Sequence, residues 1–177
     1  MKNTVSRRRV LSIVTAGASV AVLPFGLVAT ESNDESEARS FAVSKTNQQW
    51  RAIVGNDRYA VLFEEATERP GSSPLNNEKR AGTFICAACN QPLFKSDTKY
   101  DSGTGWPSFF DAIPGALGKK KDYKLVWPRT EYHCSRCGGH QGHVFTDGPQ
   151  PTGLRYCNNG LALNFVAADD VLPELRS

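Results

Sequence analysis

Cys86-Ala87-Ala88-Cys89 and Cys134-Ser135-Arg136-Cys137 carry four of the five cysteines of this 177-residue chain. Each CxxC turn can direct two sulfurs to one side of a tight loop. Two such turns facing one another form a thiolate tetrahedron, the ligand set of a structural Zn²⁺ site. A four-cysteine site is closed and leaves no position for a substrate. The competing arrangements are disulfides, favoured by export, and a redox-active CxxC. Two pairs favour metal, because a disulfide within one CxxC is strained and restrains little chain. The stretch from 90 to 133 is longer than the loop of a small zinc ribbon, so it must fold on its own account.

The first thirty residues read as an address. A basic start ends in Ser6-Arg7-Arg8-Arg9, an apolar run extends from Val10 to Ala29, and the chain turns acidic at Glu31. This pattern is an export signal, and the paired arginines before a mild apolar core resemble a twin-arginine signal. It implies periplasmic or extracytoplasmic location, the twin-arginine machinery as a partner, and folding with metal before export. An uncleaved membrane tether is the alternative, and Ala29 and Ala38 are both candidate cleavage points. Of 21 basic residues, four (Lys2, Arg7, Arg8 and Arg9) fall in this segment, which has no acid. The remainder is near neutral against 18 acids, which argues against nucleic acid as a partner.

Residues 31–45 read as a flexible linker, 46–168 as the folded domain and 169–177 as a tail. Thr46 or Asn47 can cap a helix carrying Trp50, Ile53 and Val54, with Gly55 as its stop. Asn56 can cap a second over Asp57–Ala66, ended by Arg69-Pro70-Gly71. From Gly82 the texture is β. Strands are predicted at Thr83–Cys86, Pro92–Phe94, Leu125–Trp127, Tyr132–Cys134, His143–Thr146 and Leu161–Val166, with turn residues between them. The expected fold is mainly β: two antiparallel sheets with short N-terminal helices. Lys119-Lys120-Lys121 reads as a solvated hairpin tip.

Cys157 is left over. Alone it would be a small buried hydrophobe more often than a nucleophile. Arg155 lies two residues before it, on the same side of an extended strand, where a cation favours the reactive thiolate. His140-Gln141-Gly142-His143 supplies imidazoles for acid–base work rather than metal, since zinc already has four better ligands. His133, next to Cys134, reads as a surface or supporting residue.

Several stretches occur in order: Thr67-Glu68-Arg69-Pro70, the first CxxC, Tyr100-Asp101-Ser102-Gly103-Thr104-Gly105-Trp106-Pro107-Ser108-Phe109, Gly139-His140-Gln141-Gly142-His143-Val144-Phe145, and Thr152-Gly153-Leu154-Arg155-Tyr156-Cys157. Together they closely resemble methionine-R-sulfoxide reductases of the B type, from about Asn47 to Val166. The resemblance implies Cys157 as nucleophile, and His140 and His143 as the pair that polarises and protonates the sulfoxide oxygen. It implies Asn159 as an orienting residue, Trp106 as the wall for the substrate methyl, Arg155 as the cation beside the nucleophile, and Asp147 as an acid that holds other groups. Oxidised protein substrates and a thioredoxin-like or other thiol reductant follow as partners of a monomer. Many members carry a resolving cysteine where this chain has Thr104, so a one-cysteine cycle is expected. The lone methionine is Met1, which suits a repair enzyme working among oxidants. A zinc-ribbon binding module would explain the four paired cysteines but not Cys157 or the histidines. A cysteine hydrolase would use the same Cys and His on acyl substrates.

Overall fold

The computed structural model describes residues 41–124 and 127–177. The export segment, most of the linker, and Leu125 and Val126 of one predicted strand lie outside the described residues; Trp127 sits in an exposed bend. Among the described residues no helix is long and apolar enough to cross a membrane.

Helix α1 (Asn47–Val54) begins with a capping box, in which Thr46 Oγ1 accepts from the Gln49 amide while the Gln49 side chain accepts from the Thr46 amide. Gly55 ends it at φ +79° and leads into α2 (Asn56–Glu64). The second helix stops at Glu64, two residues short of expectation, because Glu65 takes up the left-handed conformation.

Nine strands follow: β1 (Gly82–Cys86), β2 (Pro92–Lys95), β3 (Lys99–Tyr100), β4 (Ser108–Phe109), β5 (Leu117–Asp122), β6 (Arg129–Cys134), β7 (His140–Phe145), β8 (Arg155–Asn158) and β9 (Leu163–Ala167). They form two antiparallel sheets, ordered β2-β1-β9 and β3-β4-β8-β7-β6-β5. An aromatic layer joins them. Phe94 stacks on Phe109 at 4.1 Å, Phe84 meets Phe109 edge-on at 4.9 Å, and Tyr132 meets Tyr156 at 5.2 Å. Burying three phenylalanines completely contributes several kcal/mol, about 2 kcal/mol or more each.

The Lys119-Lys120-Lys121 run is an edge strand, not a hairpin tip. The charges do face solvent, but lysines on an outermost strand also block edge-to-edge pairing with other chains. His133 is buried rather than at the surface, against a ring face opened by Gly118, where a Cβ would stand 2.4 Å from its Nε2. The segment beyond 168 folds back over the first CxxC turn. The Arg176 guanidinium donates to the carbonyls of Ala87 and Ala88, and its amide donates to Cys89 O. On the other side of the domain's start, Val43 is buried and donates to Arg136 O.

Candidate active site and metal centre

Alternation along β8 sorts its side chains. Tyr156 and Asn158 point into the core, where Asn158 Oδ1 accepts from the Tyr132 hydroxyl, while Arg155 and Cys157 point out. Cys157 pairs across the sheet with Ser108 on β4 and with His143 on β7. Gly142 permits this close approach, since a Cβ there would stand 1.9 Å from Cys157 O.

His140 and His143 are three positions apart, which in a regular strand would place them on opposite faces. They share one face because β7 carries an extra residue: Tyr132 faces Gly142 and His133 faces His140, so Gln141 is bulged out of register. The two rings lie 5.6 Å apart as a result. Each has a carboxylate. His140 Nδ1 is 2.9 Å from Glu131, which also holds Lys120 at 3.0 Å; His143 Nε2 is 2.7 Å from Asp122, which also holds Arg129 at 2.7 Å. Burial lowers the His143 pKa further than the hydrogen bond to Asp122 raises it, so the ring is neutral at pH 7. With Nε2–H donating to Asp122, Nδ1 is the basic nitrogen.

A cleft of about 140 Å³ collects Trp106, His143, Cys157 and Asn159 together with Thr67, Arg129 and Phe145. Of the predicted site residues, His140 sits behind His143 and is 2% exposed. Arg155 grips Asp147 through two hydrogen bonds of 2.8 Å and stacks over Phe145. Asp122, Arg129 and Glu131 were not foreseen; an acid inside a strand such as Glu131 was their one sequence signal, and its partner depends on strand pairing.

The thiolate expectation needs correcting. Burial pushes the Cys157 thiol above its ordinary value; the Thr104 hydroxyl, 3.9 Å away, and Arg155 pull it down but do not win. Its alkylation by iodoacetamide should therefore rise with pH through and beyond about 8.5, the value of a free thiol. Arg155→Gln removes a lowering influence, so the midpoint should move further up and the rate at pH 7.5 should fall by about threefold to tenfold. A midpoint below that of free cysteine in the parent protein would contradict this.

Cys86, Cys89, Cys134 and Cys137 converge at the turns after β1 and β6. All four are buried and unpaired by disulfides, with every sulfur within 4.8 Å of the others. Four ionised thiols so close repel strongly unless a cation sits among them, so the cluster can hold a metal ion. Gln141, fully buried, aims its amide at Cys86 Sγ (3.6 Å), while its backbone carbonyl accepts from the Asn159 amide (2.8 Å). The bulge that aligns the histidines thus also ties the cysteine cluster to the end of the nucleophile's strand.

Residues 54–167 match the SelR domain. The chain belongs to the SelR family. The chain is 48% identical over 131 residues to a peptide methionine sulfoxide reductase MsrB of Agrobacterium fabrum, covering 73% of this chain and 97% of that protein. The MsrB of Methanosarcina barkeri is 48% identical over 130 residues, covering 73% of this chain and 92% of that one. The MsrB of Bradyrhizobium diazoefficiens is 51% identical over 122 residues, covering 68% and 88%. The matched SelR region takes in the cleft, the four-cysteine cluster and both sheets.

Proposed function

We propose that this protein is a thiol-dependent oxidoreductase that returns methionine-(R)-S-oxide to methionine, using Cys157 as the nucleophile. One observation carries the reading. The only cysteine outside the cluster lines a cleft with a neutral imidazole, an aromatic wall and an amide.

The proton balance follows from the electrostatics. With Cys157 raised and His143 lowered, the resting centre holds its proton on sulfur. A sulfoxide oxygen is a poor leaving group until protonated. The Cys157 proton passes through His143 Nδ1 to that oxygen as the Cys157 sulfur attacks. The protonated oxygen is transferred from the methionine sulfur to the Cys157 sulfur, the bond made between the two sulfurs breaks, and methionine departs leaving a Cys157 sulfenic acid; two electrons have moved from the cysteine sulfur to the methionine sulfur. Asn159 is held rigidly, its Nδ2 donating to Gln141 O at 3.2 Å and its Oδ1 accepting at 3.1 Å. Trp106 receives the S-methyl. In the opposite epimer the oxygen would face that ring unpartnered, which costs about 1–3 kcal/mol, or roughly tenfold to hundredfold in rate.

Thr104 stands where a resolving cysteine would act, so the sulfenic acid passes to an external thiol. That thiol displaces water to form a mixed disulfide, and a second thiol releases Cys157. Thioredoxin-like proteins and small dithiols fit this role. Oxidised proteins fit as substrates, because the cleft is open at the surface. One chain holds every residue of the site, so a monomer suffices.

The cluster is assigned to one structural zinc. Tetrahedral Zn–S bonds of about 2.3 Å require sulfurs about 3.8 Å apart, and Cys86–Cys137 and Cys89–Cys134 stand at 3.7 and 3.5 Å. The metal would fasten two turns and take no part in turnover. Segment 1–30 serves export by the twin-arginine route to an extracytoplasmic location; Arg7-Arg8-Arg9 ahead of the apolar run supports this. A zinc site that needs reduced thiols is consistent with folding before export.

Turnover of separated R and S methionine sulfoxides with a dithiol tests the reading. Reduction of the R epimer at least about tenfold faster than the S epimer, with dimedone labelling Cys157 after one turnover in the absence of thiol, is expected. Preference for the S epimer, or an internal disulfide seen by intact mass, would be incompatible with it.

A further inference from the structure

The stretch Thr67-Glu68-Arg69-Pro70 helps carry the family resemblance, yet the chemistry above makes no use of Glu68. This residue lies in the strap 65–73 after α2 and is 8% exposed. Every one of its hydrogen-bonding groups is engaged. Its amide donates to Asn159 Oδ1 at 3.1 Å, and its carbonyl accepts from Trp106 Nε1 at 3.2 Å. Its carboxylate accepts from the amides of Gly160 at 2.6 Å and Leu161 at 2.9 Å. A carboxylate drawn so far from water is costly unless such donors meet it.

Asn159 and Trp106 come from distant parts of the chain, and residue 68 bonds to both side chains. The carboxylate fixes the turn that immediately follows Asn159. Glycine at 160 lets the strap approach, because a Cβ there would stand 1.9 Å from Ser73 Oγ and 3.2 Å from Glu68 Oε1. Epimer choice depends on where oxygen and methyl sit relative to one another, and site geometry of this kind must hold to about 0.5 Å. We infer that Glu68 is the positioning residue that sets Asn159 and Trp106 against Cys157, and through them governs epimer selectivity. The selectivity part rests on the sulfoxide reductase reading; the positioning part does not.

Glu68→Gln replaces one acceptor by an NH₂ that faces an amide donor, at almost unchanged volume. The kcat for the R epimer should fall by about tenfold, with KM changed less than about threefold and a smaller R-to-S rate ratio. Cys157 alkylation and zinc content should match the parent, since neither depends on residue 68. In ¹H–¹⁵N spectra the Asn159 side-chain amide and the Gly160 amide should shift together, while signals from the β5–β6 hairpin stay in place. Unchanged kcat and R-to-S ratio, or a parallel fall in kcat, alkylation and zinc content, overturns the proposal. If Glu68→Gln does not fold, Glu68→Asp keeps the charge but draws the carboxylate back from the Gly160 and Leu161 amides. A reduced R-to-S ratio with normal alkylation then supports the proposal, and an unchanged ratio overturns it. Should the parent reduce neither epimer, the reductase reading fails, and the spectra still decide whether residue 68 positions Asn159.

Discussion

Cys157→Ser is expected to lower sulfoxide reduction by at least about a thousandfold while leaving fold and metal content intact. The reason is chemical before it is structural. A serine hydroxyl ionises far above the range of a thiol, even one whose pKa burial has raised. It is also a much weaker nucleophile toward sulfur, and it has no stable counterpart of the sulfenic acid. The substitution is small, and Cys157 holds none of the cluster. Its neighbours Tyr156 and Asn158 keep their places in the core because alternation along β8 is untouched. Turnover with a dithiol, zinc content and a thermal melt measure the three properties separately. Retention of activity within tenfold of the parent would falsify the assignment of Cys157 as nucleophile.

Cys86→Ser should act in the opposite sense, on the fold first. Cys86 closes β1, is fully buried, and lies 3.7 Å from Cys137 on the far turn. Removing one of four thiolates cripples a closed tetrahedral site. Structural zinc contributes roughly 10–16 kcal/mol in small peptides, and loss of even a third of that would unfold much of a typical domain. The aromatic layer between the sheets persists, so partial β structure should survive while the β1–β2 and β6–β7 turns loosen. Metal content should fall well below one per chain, the urea midpoint should drop, and activity should fall only with the folded fraction. A Cys86→Ser protein with full zinc and a parental urea midpoint would rule out the metal assignment.

Local chemistry made much of this architecture readable in advance. Thr46, one of the two caps expected, and the Gly55 stop bound α1, and β1, β2, β6 and β9 lie within a few residues of the segments proposed for them. β5 was misread because three lysines look alike on a loop and on an edge strand. The strand announces itself only through pairing with β6, which no local signal encodes. The same limit hid Asp122 and Glu131, whose roles depend on register across β5, β6 and β7. The spacing of His140 and His143 was visible, but the bulge at Gln141 that brings both rings to one face was not. Arg155 lowers the Cys157 pKa but burial outweighs it, and desolvation of a thiol cannot be weighed before its burial is known.

The C-terminal residues bear on handling. Arg176 clasps the carbonyls of the first CxxC turn, the Asn90 side chain reaches Glu174 O, and Lys45 binds the last residue's carbonyl. An affinity tag appended after Ser177, or trimming by a carboxypeptidase, would therefore disturb the turn that carries Cys86 and Cys89.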